Sequence, residues 1–165
     1  MTSLGRTSGV AALLLALLVA LGAAGCGGGG NSDQLSKSDY EAKVKAIAGD
    51  LQTSLSSLST GNSKDLGAFE TKVGTAQTKL QDASSKLKGL KPPDDAKSDN
   101  TKLANGLSGL ASAFTNLKQA LAAKDIAKIQ QRANEIQNLA SAQDIRAAIA
   151  DLKKKGYDLG AFGGA

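Results

Sequence analysis

Few side chains of this chain have a type and spacing that could do chemistry, and the thiol of Cys26 stands out among them. It is the only cysteine in 165 residues, and the chain has no histidine. One cysteine excludes an intramolecular disulfide, and the lack of histidine removes the commonest general base and the commonest metal ligand. Ala23, Ala24 and Gly25 directly precede the thiol, after an apolar run over residues 10–21. That run has the length of a signal-peptide core and is too short to cross a bilayer of about 30 Å.

The order of a basic residue, an apolar run, small residues and a cysteine resembles the bacterial lipobox. The resemblance implies that Cys26 receives a diacylglycerol group and that the signal is cleaved between Gly25 and Cys26. The domain would then be held at the extracytoplasmic face of the cell membrane, because two acyl chains give stable attachment where one is marginal. Ala23 departs from the pattern, which usually has leucine there. The alternatives are an ordinary signal peptide with an incidental cysteine and an uncleaved anchor.

Other candidate groups do not form a catalytic or metal-binding pattern. Asp94, Asp95 and Asp99 could offer oxygens to calcium, but the glycine turn and ligand spacing of a calcium loop are absent. Acidic residues at the start of a helix explain them better. Many serines and lysines are present, yet no motif isolates a Ser-Lys pair. We therefore predict no catalytic residue, no metal site, no cofactor and no enzymatic activity.

The basic residues are interspersed along the chain, which has a formal net charge of +5. They are not interleaved with aromatic residues, so we predict no nucleic-acid partner. Lys153, Lys154 and Lys155 could contact anionic lipid headgroups, although cations in the last turn of a helix also complement its dipole.

Apolar spacing predicts four helical segments that would position any site. In each segment apolar residues recur every three or four positions, the period of one helix face. We predict an all-α fold, an up-down-up-down four-helix bundle over residues 36–159, with a dimerising coiled-coil hairpin as the alternative. A signal peptide over 1–25 and a glycine-rich tether over 26–35 would precede it, and a flexible end over 160–165 would follow. The inward stripes are Tyr40, Val44, Ile47, Leu51, Leu55 and Leu58; Leu66, Phe69, Val73, Ala76, Leu80, Ala83 and Leu87; Ala96, Asn100, Leu103, Leu107, Leu110, Phe114, Leu117 and Leu121; and Ile126, Ile129, Ala133, Ile136 and Ala140, continued by Ile145, Ile149 and Leu152.

The ends of the helices carry recognisable signals. The first helix opens at Ser36 or at Ser38, where a capping box is available. Ser141 with Asp144 predicts an internal capping box, so we expect a kink or break there in the fourth segment. Gly156 is placed as the left-handed cap after the last helix.

Asn100 is the one polar residue on the stripe of the third helix. It follows a Leu-x-x-Leu-x-Pro-Pro joint that ends at Pro92 and Pro93. This joint resembles a pattern in small actinobacterial lipoproteins, where a histidine often stands at the position of Asn100. The resemblance implies a helical domain and an envelope location, and no reaction. Asn100 could line a polar pocket, set helix register or lie at a solvent-facing rim.

The function predicted from these features is a lipid-anchored, non-enzymatic binding or assembly module of the cell envelope. It would contact the membrane through Cys26 and an unidentified envelope protein, lipid or wall component through the bundle. The alternative is a carrier of a small hydrophobic ligand in a cavity between the helices, which requires an enclosed apolar cavity of a few hundred Å³. A weaker third hypothesis is an enzyme that uses carboxylates or a Ser-Lys pair.

Overall fold

The structure, a computed structural model, describes residues 33–59 and 65–162, and every regular element in these ranges is helical. Gly25, Cys26, the predicted signal peptide and most of the predicted tether lie outside the described residues. The all-α fold class is confirmed for the described part of the chain, which holds no strand. The helices are α1 (Lys37–Ser59), α2 (Leu66–Gly89), α3 (Lys97–Ala122), α4 (Ile126–Gln137) and α5 (Ala140–Lys154), with short 3-10 helices at Asp94–Ala96 and Gly160–Phe162.

The interiors of α1, α2 and α3 follow the predicted stripes. In α2, for example, the stripe residues from Val73 to Leu87 are buried, whereas Leu66 and Phe69 near its start are partly buried. In α3 the stripe is buried from Leu103 to Leu121 with one partly buried exception, Leu110. Each of these helices has its apolar residues on one face. Packing that face against the neighbouring helices removes it from water, which stabilises the helix.

The first helix is capped by Ser36. Its Oγ accepts a hydrogen bond from the backbone N–H of Asp39 at 3.1 Å and donates to the Asp39 carboxylate at 2.6 Å. The expected box at Ser38 is therefore not used. The last residues of the predicted tether are also held, because the N–H of Leu35 donates to the carbonyl of Lys91 at 2.8 Å.

The predicted fourth segment is divided into α4 and α5, so the expected break is confirmed. It lies at Asn138 and Leu139, and Leu139 caps α5 without a side-chain hydrogen bond. The proposed capping box at Ser141 was wrong. Ser141 lies inside α5, where its side chain contacts α3 at Gly109.

Two glycines of α3 allow α5 to approach closely. A methyl group on Gly106 would overlap Ile145, and one on Gly109 would overlap Ser141. The two helix backbones therefore pack at a separation that any larger residue at these positions would prevent.

After α5 the chain turns back along α1. Gly156 has φ +77°, the N–H of Tyr157 donates to the carbonyl of Leu152 at 3.0 Å, and the predicted Schellman cap is confirmed. The strap, residues 155–162, then contacts α1 through its 3-10 helix. Gly160–Phe162 form the second 3-10 helix, and Phe162 packs against the core, whereas residues 163–165 of the predicted flexible end lie outside the described residues.

The main helix contacts leave one seam open. α2 packs against α1 and α3, and α3 also packs against α4 and α5. α1 meets the strap rather than packing extensively against α5. The strap therefore covers one part of the seam between α1 and α5.

Candidate functional site

Asn100 lies in the core near the start of α3 and is 5% exposed. Its Oδ1 accepts a hydrogen bond from the Tyr40 hydroxyl at 3.2 Å, and its Nδ2 donates to the Leu87 carbonyl at 2.9 Å. The amide thus joins α1, α2 and α3, and its burial is incompatible with a solvent-facing rim. It also borders an open depression of about 300 Å³ between Lys88 and Lys97, which polar and apolar residues line together.

Two tyrosines pack beside Asn100. The rings of Tyr40 and Tyr157 meet edge to face with centroids 5.7 Å apart, and Lys37 Nζ lies 4.6 Å from the Tyr157 ring centre. The Tyr157 hydroxyl donates to Asp95 at 2.6 Å. Burial raises the pKa of both phenols, and the charges of Asp99 near Tyr40 and of Asp95 near Tyr157 raise it further. Both hydroxyls are therefore kept neutral and act as hydrogen-bond donors.

An ion pair between the buried carboxylate of Asp99 and the exposed side chain of Lys155 links the strap to α3 at the same end. Asp99 is 2% exposed, and its carboxylate lies 2.6 Å from Lys155 Nζ, which also donates to the Asp95 carbonyl at 2.6 Å. The hydrogen bond to Asp99 raises the pKa of Lys155. Lys102 lies 3.7 Å from the second oxygen of Asp99. We call the set Tyr40, Asp95, Asp99, Asn100, Lys155 and Tyr157 the locked end.

The acidic residues that the sequence offered for calcium are thus used within the fold. Asp94 pairs with Lys97, Asp95 accepts from Tyr157, and Asp99 pairs with Lys155. In the described ranges no three metal-ligating side chains come together. Of the three consecutive lysines, Lys155 is turned to Asp99, and Lys154 lies 3.5 Å from Asp151.

Beyond the strap the seam forms a second feature, which we call the apolar groove. It has a volume of about 380 Å³ and lies between α1, α2, α3, α5 and the end of the strap. Its lining residues are Ala48, Leu51, Gln52, Leu55, Ser56, Leu80, Leu107, Leu110, Ile145, Ala161 and Phe162.

The groove has an aliphatic floor and a sparse polar edge. Leu51, Leu80 and Leu107 are buried beneath it, while the walls include partly buried residues such as Leu55 and Phe162. No lining residue is titratable, and the only polar side chains are those of Gln52 and Ser56. Along α1 the lining spans Ala48 to Ser56, which is about 12 Å at 1.5 Å per residue. Such a surface can bind an apolar group.

The sequence had placed Ile126 and Ala140 inward on the fourth stripe, and this was wrong. Ile126 is 54% exposed, and Ala140 is exposed at the start of α5. The reason is that α4 packs mainly on α3, and only Ile129 and Ile136 reach the core cluster from its stripe.

Sequence reasoning found Asn100 but missed the ion pair and the groove. Asp99 looked like a helix-start residue, and nothing local marks Lys155 as its partner 56 positions later. No helix within the described ranges is both long enough and apolar enough to span a membrane. Comparisons with protein-family models, curated proteins and solved structures found no match.

Proposed function

We propose that this chain is a membrane-anchored, extracytoplasmic lipoprotein that carries a small hydrophobic ligand and catalyses no reaction. The observation that carries the proposal is the apolar groove, whose volume of about 380 Å³ falls within the range of small-molecule sites. An uncharged, aliphatic lining favours a ligand held by the hydrophobic effect.

The anchor in this proposal is the diacylglycerol that the lipobox resemblance implies on Cys26. The described domain begins at Asp33, seven positions after Cys26, and Asp33 is paired with Lys91 at 2.6 Å. The glycine-rich tether that the sequence predicts would have a root-mean-square reach of about 15 Å over these seven positions. The domain would therefore stay close to the lipid headgroups, where apolar ligands are concentrated.

The helices of this carrier would form the antiparallel, up-down-up-down arrangement. Hydrogen bonds between helix ends support this arrangement. The N–H of Leu35, before α1, donates to the carbonyl of Lys91, after α2. Lys37 at the start of α1 donates to the Lys155 carbonyl after α5. Asn100 at the start of α3 bonds to Leu87 near the end of α2. Short connections between neighbours suit the same order.

An assembly module is the second candidate, and exposed Ile126 on α4 favours it. A single exposed isoleucine is ordinary on a protein surface, whereas a protein-docking patch needs several hundred Å² of contiguous apolar area. The groove therefore supports the carrier better.

The test has two parts. The full chain is expressed in a bacterium that processes lipoproteins. It should fractionate with membranes, and mass spectrometry should find a lipid on Cys26. The Cys26→Ser variant should show neither result. Organic extraction of the purified membrane form should release an apolar compound in about equimolar amount. An unmodified Cys26 thiol would contradict the anchor, and an empty protein that also binds no neutral apolar dye would contradict the carrier.

A further inference from the structure

We propose that α4 opens as a separate unit, leaving the surface of α3 while α3, α5 and the strap stay folded. The inference does not depend on the proposed carrier function, because no residue of α4 lines the apolar groove. Three observations carry it: the burial of α4, its polar contacts and the backbone at its two ends.

α4 buries less apolar surface than α5, although both helices pack against α3. Ala148 and Leu152 of α5 are fully buried, and the chain that follows α5 buries Leu159. None of the 12 residues of α4 is buried, and Ile129 and Ile136 are only partly buried where they pack against the core. Because the free energy of a local opening rises with the apolar surface it exposes, α4 should open more readily than α5.

The polar contacts of α4 are local. Arg132 pairs with Glu135 at 2.6 Å, and Lys128 pairs with Asp125 at 3.1 Å. Among the residues that the structure describes, no side-chain hydrogen bond or ion pair links α4 to α3.

The chain around α5, by contrast, is joined to α3 by charged groups. Asp151 lies 4.0 Å from Lys102, and Lys155 pairs with the buried Asp99 at 2.6 Å. Opening of α4 would therefore break its apolar contacts and no cross-helix bond, whereas opening of α5 would also break an ion pair to a buried carboxylate.

The backbone leaves the helical conformation at both ends of α4. Before it, Lys124 has φ +52°, a left-handed angle that residues other than glycine adopt at a cost, and within residues 33–59 and 65–162 no other non-glycine residue has a positive φ. After it, Leu139 is extended with ψ +131°. These two positions are the hinges. Lys124 can return to an ordinary angle once α4 has left α3, which favours the open form.

Amide hydrogen exchange of the full chain in mild detergent, followed residue by residue by nuclear magnetic resonance, tests the inference. Amides within α4 should exchange at least tenfold faster than those within α5, and at least a hundredfold faster than those of α2 between Val73 and Leu87. Rates for α4 that equal those of α5 would overturn the proposal. Protection that rises steadily from the ends of α4 to its middle would also overturn it, because that pattern is fraying and not the opening of one unit.

A pair of neighbouring glycine variants tests the hinge. Lys124→Gly removes the cost of the left-handed angle in the closed form, so exchange within α4 should slow about threefold. Ala123→Gly introduces the same residue at an ordinary helical angle, φ −77° and ψ −8°, and should not slow it. Both positions are exposed, so neither change disturbs the core. Equal exchange within α4 in the two variants would show that Lys124 is not a hinge.

Discussion

The two parts of the seam between α1 and α5 are closed by opposite kinds of chemistry. At the locked end, the polar groups of Tyr40, Asp99, Asn100 and Tyr157 are buried and each has a partner, which for Asp99 is the exposed Lys155. In the apolar groove the same seam is lined by aliphatic side chains with space left between them. The locked end is fixed by hydrogen bonds and an ion pair, whereas the apolar groove is a surface that a ligand can cover.

This difference follows from what each kind of group requires when it leaves water. A buried amide or carboxylate without a partner is strongly destabilising, so the geometry of the locked end is narrowly determined. A gap between leucines forfeits only contacts, and an apolar ligand can restore them. The locked end therefore holds the strap in place, and the strap in turn defines the end of the groove.

The largest expected difference between the locked end and the groove is in how much the free energy of unfolding falls when a leucine is replaced by alanine. Leu103 is fully buried close to the locked end, so Leu103→Ala should lower the free energy of unfolding by about 3 kcal/mol. Leu55 is partly buried at the groove, and Leu55→Ala should lower it by about 1 kcal/mol. Urea denaturation followed by circular dichroism measures both. Equal losses would mean that the groove is packed as tightly as the locked end.

Replacing Asn100 by leucine should have the next largest effect, a loss of about 2 kcal/mol in the free energy of unfolding. The Tyr40 hydroxyl would lose its partner inside the core and the Leu87 carbonyl would keep only the Leu90 N–H, although the shape changes little. Tyr40→Phe removes only one of the two bonds and should lose less. In the double variant the losses should fall short of the sum, because both changes remove the same hydrogen bond. Additive losses would disprove the shared bond.

The sequence predicted the elements better than the contacts between them. The α2 stripe could be read because its apolar residues recur on one face that is buried from Val73 to Leu87, and Gly156 could be read because few other residues adopt its backbone angle. The close contact of Gly106 and Gly109 with α5 could not, since a glycine inside a helix looks the same whether or not a second helix approaches it.

The candidate site shows the same limit. The stripes marked Leu51 and Leu107 as inward residues, and both are buried. Periodicity gives the direction of a side chain, however, and not whether the space in front of it is filled. The groove is also bordered by the strap, which lies against α1 and is linked to α3 by an ion pair between Asp99 and Lys155, far apart in sequence.

Release of the strap should be measurable through Lys155. Lys155→Met leaves the buried Asp99 carboxylate with only the longer contact to Lys102, so the strap should dissociate more often. Limited proteolysis should then cut within residues 155–162 several times faster, and the urea midpoint should fall. Lys154→Met is the matched control, because its pair with Asp151 is exposed and worth little. Equal cleavage of the two variants would show that the ion pair does not hold the strap.

The smallest expected effect is a change in how stability depends on alkaline pH. Because the folded state raises the pKa of Tyr157, it favours the neutral phenol, and this contribution is complete below the ordinary phenol pKa of about 10. As the pH rises above that value the unfolded chain loses the proton first, so stability should fall. Tyr40 and Lys155 have raised pKa values and act in the same direction, so Tyr157→Phe should reduce the fall without abolishing it. Urea midpoints measured from about pH 8 to pH 11 test this. If the urea midpoints of the unmodified chain and of Tyr157→Phe fall in parallel with pH, folding does not raise the pKa of the Tyr157 hydroxyl. Water would then reach the locked end as readily as it reaches the groove.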